Sequence, residues 1–219
     1  MARDFNGSSD YLSAASSPIA DYPFSMACWF NCDVATAQRT LIEIRNGTGN
    51  LSHQLETRGD QGGDPVGARS STGAGGIFAE STAGYTAGTW HHAAGVWTSA
   101  TSRAAFIDGG SKGTNATSRA PTGFDNMQIG RKNSGGGGSD FFDGRIFAAA
   151  IWDAALTDDE VASLGKGFSP LLIRPGSLVF YAPILGRYSP EIEIFAARDL
   201  TVTGTAVAAH NRLFNPGPK

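Results

Sequence analysis

The chain has 219 residues, a length at which β-sandwiches still form a single domain. Hydrophobic residues make up 41% and charged residues 17%, with a net charge of −3, which excludes the charge-rich and apolar-poor class of disordered chains. Glycine, at 29 residues, follows no three-residue period, which excludes a collagen-like chain. The composition therefore favours an all-β protein with many turns.

The charge and hydropathy patterns exclude two classes of partner. No run of about 18 apolar residues is present, so the sequence predicts no membrane-spanning helix. The pI is about 5.8 and no basic cluster is longer than Arg131-Lys132, so the basic surface that nucleic acid requires is missing. The N-terminus has no apolar stretch of the kind that secretory signals carry. We expect a chain made in the cytoplasm, or one from which a leader was removed, without nucleic acid or a membrane as partner.

Short β-like runs alternate with turn signals along the chain, a pattern typical of a two-sheet antiparallel sandwich. The predicted strands span residues 24–30, 40–44, 52–57, 76–81, 90–97, 103–107, 126–129, 144–152 and 178–182. Asp108-Gly109 gives the strongest hairpin signal, because both central residues of a type I′ turn need positive φ.

One segment predicts a short helix. Thr157 and Glu160 have the spacing of a capping box, in which the two side chains satisfy free backbone amides at the start of a helix. Val161 and Leu164 supply one apolar face before Gly165 ends the helix. We expect this helix to be structural rather than part of a site.

The two cysteines predict free thiols in the core. On a strand, Cys28 and Cys32 lie about 13 Å apart, whereas a disulfide needs less than about 7 Å between the Cα atoms. A zinc half-site would need two further soft ligands, which only four histidines could supply. We therefore predict no zinc site and no disulfide framework.

Histidine and tryptophan side chains cluster in the run Trp90-His91-His92. Neighbouring side chains on a strand point to opposite faces, so the two imidazoles cannot converge on one ion, and we predict a structural role for them. The four tryptophans could stack on sugars, but each lies inside an apolar strand. Core packing is therefore expected for most of them.

A pair of carboxylates, Glu191 and Glu193, has the spacing that places both side chains on one face of a strand, about 7 Å apart. Glycosidases use paired carboxylates at about 5 Å or more. The alternative is an exposed strand edge with solubilising glutamates. No catalytic residue is assigned, because no nucleophile with a base and an orienting group is recognisable.

An acidic, glycine-rich loop spans residues 59–64. Asp60 and Asp64 offer oxygen ligands for calcium, although the loop lacks the ligand density of a calcium loop and is equally explained as a solvated turn. We predict no metal site and no cofactor, with calcium at this loop as the alternative.

Several motifs recur in the order and spacing of one family. They are Phe5-Asn-Gly-Ser-Ser-Asp-Tyr-Leu12, Phe24-Ser-Met-Ala-Cys-Trp29, Gly88-Thr-Trp-His-His-Ala-Ala94, Phe106-Ile-Asp-Gly109, Phe142-Asp-Gly-Arg-Ile146 and Ile151-Trp-Asp-Ala-Ala-Leu-Thr157. Over roughly residues 3 to 165 the chain resembles the laminin G-like, concanavalin A-like jelly-roll family. The resemblance implies two curved antiparallel sheets in a binding or structural module, and fold alone does not fix the function. Phe147 stands where many members carry an acidic residue, which weakens a calcium site inferred from the family.

The C-terminal part departs from the order of that family. Residues 178–186 and 199–204 resemble the segment that usually precedes the N-terminal motif, and here they come last. We expect residues 1–167 to form the sandwich and residues 168–219 to form an extended C-terminal strap. This strap would close onto its own N-terminal strand, near Tyr11 and Val202, or cross to a neighbouring copy.

The function implied by the resemblance is structural or binding. Free-standing chains of this pattern resemble virion-associated proteins of tailed bacteriophages, so we expect a non-enzymatic decoration or accessory protein in the virion. Its partner would be a major capsid or tail protein, and the chain would form a homo-oligomer.

Two other functions stay open. The first is a lectin-like module, at a bacterial cell surface or secreted, that binds host-surface glycans through exposed aromatic side chains such as Tyr85 and Phe141. The second is a glycoside hydrolase that uses Glu191 and Glu193.

Overall fold

Two antiparallel sheets build the fold. The computed structural model describes residues 2–47, 50–73, 75–133, 137–186, 191–194 and 200–204. The strands in chain order are β1 (Arg3–Asn6), β2 (Tyr11–Ala14), β3 (Phe24–Cys32), β4 (Gln38–Arg45), β5 (Leu51–Arg58), β6 (Pro65–Thr72), β7 (Gly76–Gly84), β8 (Trp90–Ser99), β9 (Ser102–Ile107), β10 (Gly110–Asn115), β11 (Asn126–Ile129), β12 (Lys132–Asn133), β13 (Gly138–Ser139), β14 (Asp143–Trp152), β15 (Leu178–Ala182) and β16 (Thr201–Thr203). Helix α1 (Asp158–Gly165) and two short 3-10 turns, Pro170–Leu172 and Pro175–Ser177, lie between β14 and β15.

Each sheet has seven strands among the described residues. Sheet I has the order β1-β14-β3-β8-β9-β10, with β15 also paired to β14. Sheet II has the order β16-β2-β11-β4-β5-β6-β7, and β12 pairs with β13 in a separate ribbon. The prediction of an all-β, two-sheet jelly-roll sandwich with one short helix is confirmed.

The core lies between the inner faces of the two sheets. Strand alternation produces it, as in β4, where Ile42 and Ile44 are fully buried in the core while Glu43 and Arg45 occupy the other face. Cys28 and Cys32 are buried, unpaired members of this core, as predicted.

A second apolar cluster lies on the outer face of sheet I, beneath α1. Val161 and Leu164 of the helix are buried in this cluster together with Trp152 of β14. The predicted capping box is confirmed: Thr157 Oγ1 accepts a 3.3 Å hydrogen bond from Glu160 N, and Glu160 Oε2 accepts a 2.7 Å bond from Thr157 N. Burial of one helix face and this cap explain why an eight-residue segment is helical.

The β9–β10 hairpin has the predicted turn. Asp108 and Gly109 have φ values of 51° and 76°, as a type I′ turn requires. The end of α1 lies directly on this turn, because a Cβ atom added to Gly165 would come 2.5 Å from the Gly109 Cα atom. Both glycines are therefore needed where the helix meets the hairpin.

The C-terminal strands pair with strands of the same chain. Phe180 of β15 lies opposite Ile151 of β14, and Val202 of β16 lies opposite Leu12 of β2. The division at residue 167 stays a prediction, and residues 187–190, 195–199 and 205–219 of the expected strap lie outside the described residues. In the described part of the chain, no helix has the length and hydropathy that crossing a bilayer requires.

Candidate functional site

The four tryptophans occupy two different environments. Trp97 and Trp152 are fully buried in the two apolar clusters, as the expectation of core packing requires. Trp29 and Trp90 are half-buried instead. These two indole rings lie on the outer face of sheet I, beyond the area that α1 covers.

Strand register brings the two half-buried tryptophans together. In the antiparallel pair β3–β8, Trp29 lies opposite His92 and Asn31 lies opposite Trp90. Directly opposed residues share a face, so Trp29 and Trp90 are diagonal neighbours on adjacent strands. Phe147 of β14, also half-buried, lies opposite Trp29 on its other side and extends the aromatic surface.

A shallow pocket of about 470 Å³ opens beside these rings. We call it the tryptophan pocket, and its walls include Trp29, Thr86, Thr89, Trp90, His91 and Asp108. The end of α1 at Gly165 closes one side. Three elements of regular structure and two turns therefore hold the pocket in place.

Hydrogen bonds fix the polar wall of the tryptophan pocket. Thr86 N donates to His91 Nε2 at 3.0 Å, so the proton of the neutral ring is on Nδ1 and is donated to Asp108 Oδ2 at 2.8 Å. Asp108 Oδ1 accepts from His92 N at 2.9 Å, and Thr89 Oγ1 lies 2.8 Å from His91 Nε2. Burial alone would raise the pKa of Asp108, but the hydrogen bonds from His91 and His92 lower it below its usual value. The wall therefore presents a charged carboxylate whose side chain is 51% exposed.

A buried imidazole packs against Trp29, which is one wall of the tryptophan pocket. His92 is buried, and its ring centroid lies 5.4 Å from that of Trp29. Burial lowers the pKa of His92 to about 4, so this imidazole is neutral at pH 7. The prediction that His91 and His92 cannot share one ion is confirmed, because His91 lies opposite Phe30 of the core face while His92 lies opposite Trp29. The arrangement offers flat apolar rings beside hydrogen-bonding groups.

The aromatic residues expected to be exposed are placed differently. Tyr85 is only 4% exposed, so its expected exposure is wrong; its ring packs edge-on against Phe30, with centroids 5.6 Å apart. Its ring turns inward at the start of the β7–β8 connection, where it joins the core between the sheets. Phe141 is half-buried, and its ring lies against Gly138. Neither side chain lines the tryptophan pocket.

The acidic loop residues have partners within the chain. Asp60 accepts hydrogen bonds of 2.9 Å and 3.1 Å from Arg58, and these bonds lower its pKa. Asp64 has a φ of 50°, and its carbonyl oxygen accepts a bond from Tyr85 N in the turn. In the ranges that the structure describes, no group of three or more histidine, cysteine or acidic side chains is arranged to hold a metal ion. Calcium at this loop stays a prediction.

The carboxylate pair near the C-terminus is buried. Glu191 and Glu193 are 3% and 7% exposed, so the expectation of an exposed strand edge is wrong. Glu191 Oε1 accepts from Arg3 Nε at 2.8 Å and from Gly186 N at 2.7 Å, whereas Glu193 Oε1 accepts from Tyr181 N at 3.2 Å. The two carboxylates are buried because they bind the C-terminal segment to β1 and β15. This geometry favours a structural role over general acid–base chemistry.

The fold of this chain is similar to solved structures of a pentraxin and of carbohydrate-binding modules. A heptameric SAP-like pentraxin from Limulus polyphemus has a TM-score of 0.68 and 13% identity, with 95% of each chain covered. A putative carbohydrate binding protein from Bacteroides ovatus has a TM-score of 0.67 and 17% identity over 95% of this chain and 60% of that chain. The CBM40 of the Ruminococcus gnavus IT-sialidase, bound to α2,3-sialyllactose, has a TM-score of 0.62 and 16% identity over 75% of this chain and 96% of that chain.

Sequence comparison identifies the family. A search of curated protein sequences found no match to this chain. The Laminin_G_3 family model, described as the concanavalin A-like lectin/glucanases superfamily, matches residues 6–162, which is well over half of the chain. The match spans β2 to β14 and most of α1. The chain therefore belongs to the concanavalin A-like lectin/glucanases superfamily.

Proposed function

We propose that this protein is a non-enzymatic glycan-binding module that receives a sugar in the tryptophan pocket. The observation that carries the proposal is the placement of Trp29 and Trp90, half-buried side by side, next to the carboxylate of Asp108. Large aromatic rings that stay partly exposed beside a few polar groups are typical of binding sites.

The chemistry of the pocket suits a pyranose. The C–H face of a sugar ring is flat and apolar, so it stacks on an indole, whereas the hydroxyl groups at its edge need hydrogen-bond partners. Asp108 has acceptor capacity beyond the two bonds it makes, and Thr86 and Thr89 add exposed polar atoms. A neutral sugar therefore finds both kinds of contact in one pocket of about 470 Å³.

Two of the similar structures support the class of ligand. The Bacteroides ovatus protein is described as carbohydrate binding, and the Ruminococcus gnavus module was solved with a sialylated sugar. A bacterial cell surface or secreted location follows naturally from this proposal. The role expected from the sequence, a bacteriophage virion protein on a capsid or tail, stays a prediction with weaker support than glycan binding.

The test of the proposal is a glycan array probed with the labelled full chain, followed by titration of the retained glycans. The variant Trp90→Ala should weaken binding about five- to 150-fold, if stacking of a sugar on one ring matches the roughly 1–3 kcal/mol that stacking of a base on an aromatic side chain is worth. Phe168→Ala is the matched control, because Phe168 is 54% exposed and does not line the pocket. Trp29 is unsuitable as the position of the test substitution, because its ring also packs against the cluster beneath α1 and its loss would affect stability.

Two results would contradict the proposal. The first is an array without any retained glycan, with or without calcium. The second is an equal loss of binding in Trp90→Ala and Phe168→Ala. Unchanged glycan after long incubation with the protein is expected for a non-enzymatic module, and release of sugar that Glu193→Gln abolishes would instead favour a hydrolase.

We also propose that the chain is homo-oligomeric, as a multivalent lectin would be. The support is indirect: the Limulus polyphemus pentraxin is described as heptameric. Light scattering after size exclusion, with calcium and with a chelator, measures the molar mass. A single-chain mass under both conditions would contradict this part of the proposal.

A further inference from the structure

A second cleft, of about 240 Å³, lies on the outer face of sheet II, on the opposite side of the sandwich from the tryptophan pocket. We call it the basic cleft, and its lining includes Glu43, Arg45, Ser52, Arg69, Ser71 and Lys132. Strand register builds it from two rows of polar side chains. Glu43, Gln54 and Arg69 are opposed across β4, β5 and β6, and Arg45, Ser52 and Ser71 form the next row.

Hydrogen bonds hold the first row in a fixed arrangement. Gln54 Nε2 donates to Glu43 Oε1 at 2.5 Å, and Arg69 Nη1 donates to Gln54 Oε1 at 2.8 Å. The second oxygen of Glu43 accepts from Asn133 N at 2.9 Å. Glu43 and Gln54 are buried at 1% and 0% exposure. Both oxygens of the single carboxylate in the lining are therefore engaged within the chain.

The charge of the lining is positive. Arg45, Arg69 and Lys132 face one carboxylate, Glu43. A second carboxylate, Glu56, lies close by, with Oε1 3.7 Å from Arg69 Nη1, but it is fully buried and does not line the cleft. Burial raises the pKa of Glu56 to about 7, which reduces the negative charge that it contributes.

Arg69 keeps donor capacity for a ligand. A guanidinium has five N–H donors, and in the described part of the chain the hydrogen bond from Arg69 Nη1 to Gln54 uses one of them. Nε is buried, so the N–H groups of Nη2 are the ones left for a ligand. The paired N–H groups of an arginine match the two oxygens of a carboxylate. Serine and asparagine side chains around the cations can both donate and accept hydrogen bonds, as the hydroxyl groups of a sugar require.

We propose that the basic cleft binds a carboxylated monosaccharide, such as a uronic acid, with the carboxylate at Arg69 and Lys132 and the hydroxyl groups at the neighbouring serines. Its volume is below the range of about 300–1,000 Å³ of larger ligand sites, which suits a single sugar ring. The proposal does not depend on the tryptophan pocket, because the two sites lie on opposite sheets.

Titration of the full chain with sodium glucuronate, and with glucose at matched ionic strength, tests the proposal by calorimetry. In the Trp90→Ala background, where the tryptophan pocket is disrupted, we expect saturable binding of glucuronate at the basic cleft and none of glucose. Lys132→Gln should weaken glucuronate binding about three- to tenfold, and Arg69→Gln should abolish it. Lys166→Gln removes the same charge from the exposed end of α1, and Trp90→Ala disrupts the other pocket, so both should leave the affinity unchanged.

Four results would overturn the proposal, each for a different reason. In the Trp90→Ala background, equal binding of glucose and glucuronate would exclude recognition of the carboxylate. Acetate binding as tightly as glucuronate would exclude recognition of the sugar. An equal loss of glucuronate affinity in Lys132→Gln and Lys166→Gln would mean that only the net charge of the protein matters, and not the cleft. If Arg69→Gln does not fold, Lys132→Gln decides the test, because Lys132 lines the cleft and its side chain is partly exposed. Unchanged glucuronate affinity in Lys132→Gln would then overturn the proposal.

Discussion

Arg3 in β1 and Glu191 near the end of the chain form a buried ion pair, in which Arg3 Nε donates a 2.8 Å hydrogen bond to Glu191 Oε1. Their side chains are 3% and 2% exposed. β1 and β15 both pair with the edge of β14 that β3 leaves open, so they lie end to end. The ion pair is located at this junction and joins β1 to the segment that follows β15.

Removing one partner of this pair should destabilise the protein strongly. Glu191→Ala breaks the buried ion pair by removing the carboxylate to which Arg3 Nε donates, and such changes cost about 3–5 kcal/mol. Glu80→Ala is the control, because Glu80 pairs with Arg58 but its side chain is 38% exposed, and exposed pairs contribute about 1 kcal/mol or less. Urea unfolding measures the loss of stability in both variants. If both variants lose a similar free energy of unfolding, the Arg3–Glu191 pair does not hold β1 to the segment after β15.

Closure of the C-terminal strand within one chain predicts a specific crosslink. Tyr11 and Thr203 are directly opposite in the β2–β16 pair, where Cβ atoms lie about 4.5–5.5 Å apart, close to disulfide geometry. The double variant Tyr11→Cys/Thr203→Cys should therefore oxidise to a crosslinked monomer on a non-reducing gel. Tyr11→Cys/Thr201→Cys is out of register by two residues and should not react. Crosslinked dimers would mean that the strand crosses to a neighbouring copy.

Much of the fold is predictable because the patterns are local. In β4, the alternation of Ile42 and Ile44 with Glu43 and Arg45 indicates a strand with one core face, and the capping box at Thr157 indicates the helix. β6 was not predicted, because Pro65–Thr72 contains proline, glycine and polar residues of low strand preference. It forms a strand because β5 and β7 supply hydrogen bonds on both of its edges.

The candidate sites are harder to predict because they depend on what covers each sheet. Trp29 and Trp152 both lie in strands with apolar neighbours, and only the position of α1 makes Trp152 a core residue while Trp29 lines a pocket. Glu191 and Glu193 have the spacing of an exposed edge, and their burial follows from the distant residues Arg3 and Tyr181. The basic cleft could have been predicted from the sequence, because the outward-facing residues of β4 to β6 are polar or charged.

The buried carboxyl of Glu56 should make stability depend on pH. Burial raises its pKa from 4.5 to about 7, and the Arg69 guanidinium offsets part of that effect. Between about pH 4.5 and 7 the folded state then holds the proton more tightly than the unfolded state, so stability falls as pH rises. Glu56→Gln should remove this dependence and gain up to about 3 kcal/mol above pH 7. Unfolding at pH 4.5 and pH 8 measures it, and identical pH slopes for both proteins would contradict the prediction.

The contact between β10 and β7, where the edge of sheet I meets the edge of sheet II, should tolerate no side chain at Gly113. A Cβ atom added there would overlap the carbonyl oxygen of Glu80, which is backbone and cannot rotate away. Overpacking of this kind costs about 1–3 kcal/mol, and we expect Gly113→Ala to reach the upper part of that range. Gly62→Ala is the matched control, since an added Cβ would meet nothing within 4 Å, and its effect should stay within about 0.5 kcal/mol. Urea unfolding of the two variants compares them directly, and a Gly113→Ala variant as stable as Gly62→Ala would show that the two sheet edges are farther apart than this contact requires.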